Sequence, residues 1–138
     1  MSRRDWTAYS QRRVLVTGGL GFMGFNLVRA LEAAGAHVSV LSHSWPPEHE
    51  TALGDASFFK GDIRDPAVTD EAVAGNELIF HLAGKSGPAA SNASPLDDLD
   101  VNGRGTLTLL DSCRRLNPTV KVVFPSSRPG KSGANSRS

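Results

Sequence analysis

Cysteine occurs once in the 138 residues, at Cys113. A single thiol forms no internal disulfide, so a reducing compartment, the cytoplasm, is the expected location. No apolar run approaches the length of a membrane span. The Arg-rich start at Arg3-Arg4 leads into no apolar stretch of the secretory-signal kind. Charge of one sign is also scarce: the net charge is +1 and basic residues adjoin only at Arg3-Arg4, Arg12-Arg13 and Arg114-Arg115. That balance speaks against a nucleic-acid partner or an anionic membrane surface. No metal site is expected. What is present, 39% hydrophobic and 21% charged residues, fits one soluble domain with a real core.

The stretch VLVTGGLGFMGFNLVRAL, Val14 to Leu31, organises the rest. Val14 to Val16 is apolar and mostly β-branched, as in a buried strand. Thr17 to Gly24 is a glycine-rich turn. Leu27, Val28 and Leu31 then recur at helical spacing, and Gly35 is a C-cap candidate. Gly19, Gly21 and Gly24 fit G-x-G-x-x-G; Gly18, Gly21 and Gly24 fit the wider G-x-x-G-x-x-G. Between a strand and a helix such a turn lets backbone N–H groups and the positive helix end approach a pyrophosphate. The plainer reading is a glycine turn without a ligand.

Along the chain, residues 1–11 read as a flexible polar segment. HVSVL at His37 to Leu41 is a second strand. Ser44 to Ala56, with Trp45-Pro46-Pro47, reads as a loop. Ser57 to Lys60 is a third strand. Asp65-Pro66 pairs an N-cap with proline at the first helical position, opening a helix to about Ala74. Glu77 to Leu82 is a fourth strand. Ala83 to Ala93 is a small-residue loop, and Ser94-Pro95 opens a helix to about Leu116, with Gly103 and Gly105 as weak points inside it. In this helix Cys113 reads as a packing residue. VKVVF at Val120 to Phe124 is the fifth strand. Strands alternating with helices, without hairpins, predict a parallel α/β sheet, doubly wound in the order 3-2-1-4-5, with ligands at the strands' carboxyl ends near strands one and four. Residues 128–138 read as a disordered tail and residues 12–127 as the domain.

Several stretches together resemble one family. VLVTGGLGFMG, GDIRD at Gly61 to Asp65, LIFHLAG at Leu78 to Gly84, LDVNGRGTLTLL at Leu99 to Leu110 and VVFPSS at Val122 to Ser127 are similar to the N-terminal part of an extended short-chain dehydrogenase/reductase, of the NAD-dependent epimerase/dehydratase type acting on nucleotide sugars. The resemblance implies a Rossmann-like NAD(P)-binding domain. By it, Gly18, Gly21 and Gly24, with Phe22 and Met23, wrap the pyrophosphate. Asp62 and Ile63 meet the adenine, Asp62 through the amino group. Leu82, Ala83 and Gly84 line the ribose and nicotinamide side, and Asn102 supports the active-site end of the sheet. Pro125 and Ser126 run beside the nicotinamide, and Ser127 is the serine that hydrogen-bonds substrate. Each has a plainer alternative: a turn cap for Asp62, a surface helix residue for Asn102, a loose tail for Ser126-Ser127.

Two departures from the family pattern bear on function. Where NAD-preferring members carry an acid after strand two, this chain has Ser42, followed by His43. NAD is the expected cofactor and NADP stays open, with His43 a candidate contact to a 2′-phosphate. Second, the family's general acid/base is a tyrosine, with a lysine four residues later lowering its pKa. The one tyrosine here is Tyr9, ahead of the first strand, and Lys131 has no tyrosine at that spacing. The chain ends eleven residues after Ser127, short of the helix that carries the pair. The expectation is a cofactor-binding half truncated before the Tyr/Lys motif, without turnover alone and with an exposed strand-five edge that favours self-association or a complementing chain. The alternatives are half of an active epimerase/dehydratase completed by another chain, and an interaction module that has lost the nucleotide.

Overall fold

A computed structural model describes residues 5–18, 22–43, 48, 53–83 and 95–125. Five parallel strands, β1 (Arg13–Thr17), β2 (His37–Ser42), β3 (Ser57–Lys60), β4 (Leu78–His81) and β5 (Lys121–Val123), form one sheet in the order β3-β2-β1-β4-β5. This is the Rossmann-like order expected from the alternation of strand and helix patterns.

The central strand explains the layering. Val14, Leu15 and Val16 of β1 are all fully buried, as befits a parallel strand covered on both faces. Their side chains alternate. Val14 and Val16 pack with Val38 and Val40 of β2 and with Val28 and Leu31 of α1 (Phe22–Ala33). Leu15 packs with Ile79 of β4, with Val73 of α2 (Pro66–Val73) and with Leu109 on the opposite face. Register pairs Val14 with Val38 and Leu15 with Ile79, so each apolar set meets its counterpart across the ladder.

The helix ends follow from particular residues. Gly35 adopts φ +89°. Its N–H bonds to the Glu32 carbonyl, and Ala36 N–H reaches back to Leu31 O, the pattern of a glycine-terminated helix. Asp65 caps α2 by accepting from Ala67 N–H at 3.0 Å, with Pro66 at the first helical position.

The helix expected from Ser94 to Leu116 is not uniform, which corrects that expectation. It runs as α3 (Pro95–Leu99), a π-helical segment at Asp100–Arg104, and α4 (Gly105–Leu116). Gly105 N–H reaches Asp100 O, five residues back. Gly105 is no weak point: it is buried, and a Cβ there would lie 2.6 Å from Ile63 Cγ2. The absent side chain lets the helix sit directly on Ile63. Ser112 meets the Thr69 hydroxyl at 2.7 Å, and Arg115 meets Asp70 at 2.7 Å, joining α4 to α2. Cys113 packs in the same core.

Residues 5–11, read in sequence as flexible, form a turn around a 3-10 helix at Thr7–Tyr9. Trp6 and Tyr9 pack on the α1-side core, with the Tyr9 ring 6.2 Å from that of Phe80. Two aromatics in a polar stretch provide enough apolar surface to seat it. The Trp45-Pro46-Pro47 stretch, Ser94 and the tail after Pro125 lie outside the described residues.

Candidate functional site

The sheet order reverses between β1 and β4, and the candidate site lies where the chain leaves these strands. Gly18 follows β1 with φ +72° and donates to Leu41 O at 2.7 Å. A Cβ on Gly18 would fall 2.9 Å from Ala83 N and from Leu82 C. The turn after β1 and the segment after β4 are therefore pressed backbone to backbone, which glycine permits in both sterics and dihedral. Gly19 and Gly21 lie outside the described residues; Phe22 opens α1, Met23 is 61% exposed in its first turn and Gly24 is buried there.

Behind Gly18 is a hydrogen-bond relay centred on the buried Thr17–His81 contact. Ala83 N–H donates to Thr17 Oγ1 at 3.0 Å, Thr17 Oγ1 lies 2.8 Å from His81 Nδ1, and His81 Nε2 lies 2.9 Å from Thr106 Oγ1. Thr106 gives its hydroxyl hydrogen to Asn102 O at 2.6 Å. Thr106 Oγ1 therefore accepts from His81 Nε2–H, Nδ1 holds the lone pair, and Thr17 donates to it. Burial pulls the His81 pKa down to about 4, so the ring is neutral at pH 7, as this direction of donors requires. The relay ties the ends of β1 and β4 to the π-helical segment that carries Asn102. The Phe124 ring stands edge-on to His81, centroids 5.5 Å apart.

Beside it, beyond β2 and β3, lies the GDIRD loop. Ser42 is buried at the end of β2 and accepts from Gly61 N–H through its carbonyl at 3.0 Å; His43 is exposed. Asp62 is held by Arg64, which hydrogen-bonds both its carboxylate oxygens. That contact brings the Asp62 pKa down to about 2, with a smaller contribution from nearby His43. Arg64 also pairs with Asp100 of the π-helical segment at 2.6 Å. Ile63 is only 6% exposed, its side chain within the core beneath Gly105.

The fold thus brings Gly18, Leu82 and Ala83 together at one junction and Ser42, His43, Asp62 and Ile63 at the next; Asn102 is tied to the first through Thr106 and His81, and its neighbour Asp100 to the second through Arg64. Pro125 is exposed just past β5; Gly84, Ser126 and Ser127 lie outside the described residues. Thr17, Arg64, His81 and Thr106 carry no role in the sequence reading, although all four stand inside the quoted VLVTGGLGFMG, GDIRD, LIFHLAG and LDVNGRGTLTLL stretches. The contacts that join them across elements, Thr17 to His81, Arg64 to Asp100 and His81 to Thr106, span 25 to 64 positions, and no local pattern encodes that. A cleft of about 710 Å³ lined by Arg13, His37, Ser57 and Asn76 lies at the strands' starting ends, away from this junction. Among the described residues no helix is long and apolar enough to cross a membrane, and no three His, Cys, Asp or Glu side chains group as metal ligands.

The NAD dependent epimerase/dehydratase family model matches residues 14–133. A UDP-glucose 4-epimerase of Neisseria meningitidis serogroup C is 33% identical over 134 residues, covering 87% of this chain and 39% of the relative. Among solved structures, an epimerase from Methanothermobacter thermautotrophicus superposes with a TM-score of 0.82 at 33% identity, over 96% of this chain and 40% of that one. The UDP-glucose 4-epimerase of Thermus thermophilus, solved as a complex with NAD, superposes with a TM-score of 0.66 at 34% identity, over 75% of this chain and 34% of that one. The chain therefore spans about two fifths of the length of the relatives it matches. On the sheet order, the glycine junction and a family match over most of its length, this chain belongs to the NAD-dependent epimerase/dehydratase family.

Proposed function

We propose that these residues form the NAD-binding unit of a nucleotide-sugar epimerase or dehydratase, and that by themselves they turn over no sugar. The observation that carries the reading is the Gly18 junction. A glycine with φ +72°, a Cβ's width from the Leu82–Ala83 backbone, stands at the strand-order reversal where this class of sheet takes a dinucleotide. NAD fits that cradle. Gly18, Gly21 and Gly24 with Phe22 and Met23 take the pyrophosphate, Asp62 and Ile63 the adenine end, and Leu82, Ala83 and Gly84 the ribose and nicotinamide side. Ser42 and His43 flank the adenosine ribose. Asn102, Pro125 and Ser126 border the nicotinamide, with Ser127 toward the sugar. Bound there, the nicotinamide supplies hydride exchange with the sugar. NAD is preferred over NADP in this reading: the sequence from His43 to Ala56 contains no arginine for a 2′-phosphate, and several of the chain's structural neighbours are epimerases solved with NAD.

The proposed lack of turnover rests on the proton-transfer group. Tyr9, the sole tyrosine of the sequence, packs beside Phe80, and the residue four positions on is Arg13, which begins β1. It cannot act as the tyrosine of the family's tyrosine–lysine pair. Titration with NAD and NADP, followed by an assay of the same preparation with UDP-sugars, tests both halves. The proposal expects binding without turnover; turnover above a Gly21→Trp control contradicts it.

A second reading, a working site completed by another chain, is favoured by one observation. Val123 and Phe124, at and just beyond the β5 edge, are 42% and 45% exposed, and Leu96, Leu99 and Leu107 stand exposed along α3 and α4. In this reading the apolar edge is where a second copy or a complementing chain docks.

A further inference from the structure

The GDIRD loop holds an arrangement whose parts act on one another. The guanidinium of Arg64 grips the Asp62 carboxylate with two teeth, Nε to Oδ1 at 2.9 Å and Nη2 to Oδ2 at 2.6 Å. The Arg64 backbone N–H adds a third bond to Oδ1 at 2.8 Å. Two carboxylate oxygens offer about four acceptor positions in all, so the grip fills both on Oδ1 and one on Oδ2. The far side of the guanidinium is fastened as well: Nη1 meets Asp100 Oδ2 at 2.6 Å and faces Asp97 Oδ1 at 3.7 Å. A planar fork held from both sides fixes the plane and rotamer of the carboxylate it grips.

We propose that Arg64 is the positioning residue for adenine recognition: its fork orients Asp62 so that the acceptor position this grip leaves on Oδ2 takes the exocyclic amine of the adenine ring. The inference rests on the NAD reading above and adds to it the group that makes the site selective. An amine at C6 donates to that position. A 6-oxo ring presents a second acceptor to a carboxylate and is repelled. Asp62 is ionised at neutral pH with or without that contact, so the carboxylate is acceptor-only there. Selectivity for adenine over hypoxanthine thus depends on a residue that need not touch the base.

The test is titration calorimetry of the full chain with NAD and with nicotinamide hypoxanthine dinucleotide. Wild type, Arg64→Met, Arg64→Lys and, as a control, Arg115→Met are compared. Wild type is expected to bind NAD about tenfold more tightly than the hypoxanthine form. Arg64→Met brings the ratio to within about twofold, and Arg64→Lys, which keeps the charge without the fork, lowers it by about threefold. Arg115→Met removes an ion pair between α2 and α4, lowers the melting temperature and leaves the ratio alone. A wild-type ratio in Arg64→Met, or in Arg64→Lys should the first variant fail to fold, overturns the proposal. Equal binding of the two dinucleotides by wild type overturns it while leaving the NAD reading standing. No binding of either by folded wild type overturns that reading and the proposal with it.

Discussion

At the scale of single residues, His81 and Gly18 do the most to shape the candidate site, and they were unequally legible. Gly18 was visible as a glycine in a motif; that its missing Cβ faces the Leu82–Ala83 backbone was not, because β1 and β4 are far apart in sequence. His81 gave no local signal. Its partners, Thr17 and Thr106, come from a neighbouring strand and from a helix. The same burial gives it a measurable signature. Its pKa is about 4 in the fold against the ordinary 6.5. Below pH 6.5 the unfolded chain binds a proton that the folded chain resists, so stability is full above that pH and is lost as pH falls toward 4. Between pH 7.5 and pH 5 the loss is about 2 kcal/mol, above the range in which the arginine-held carboxylates protonate. Urea unfolding at the two pH values checks this. His81→Gln is expected to be less stable at pH 7.5 and nearly flat across the interval; an equal decline in the variant would contradict the assignment.

At the scale of elements, sequence patterns located the strands and most helix ends. A β-branched run marks β1, Asp65-Pro66 opens α2 and Gly35 closes α1, because each signal is local and its physical cause lies within a few residues. The helix after Pro95 shows where that stops. Period and composition predicted one helix with two glycine defects, whereas the chain makes a π-helical segment and seats Gly105 on Ile63. The seating of Gly105 is a contact with a residue far back in the chain, which helical periodicity cannot report. Replacing Gly105 with Ala forces Ile63 Cγ2 or the helix to move. The expected cost is about 1–3 kcal/mol, read as a lower urea midpoint. Combining it with Ile63→Ala is expected to cost less than the sum of the two single changes, since the second makes room for the first. Strict additivity would mean that the two residues are not in contact. The N-terminal turn was hidden for the opposite reason: two aromatics, Trp6 and Tyr9, outweigh a polar composition by packing on the α1 side of the sheet.

At the scale of the whole molecule, the sheet order was the most legible feature. Alternating strand and helix patterns with right-handed crossovers leave few topologies, and a glycine turn after the first strand selects among them. Among the described residues β5 pairs with β4 alone, and Val123, with Phe124 just beyond the strand, is exposed there, the apolar edge on which the proposed docking rests. Sedimentation velocity across a hundredfold concentration range is expected to show reversible association, weakened by Phe124→Lys. A single monomeric species at every concentration would remove the case for a docking edge. The central claim is that the β1–β4 junction holds a dinucleotide, and the most direct measurement is a calorimetric titration of the folded chain with NAD, with Gly18→Val as the paired control. The account predicts one saturable NAD site per chain that is lost in Gly18→Val; a cooperatively melting wild-type chain that takes up no NAD would contradict it.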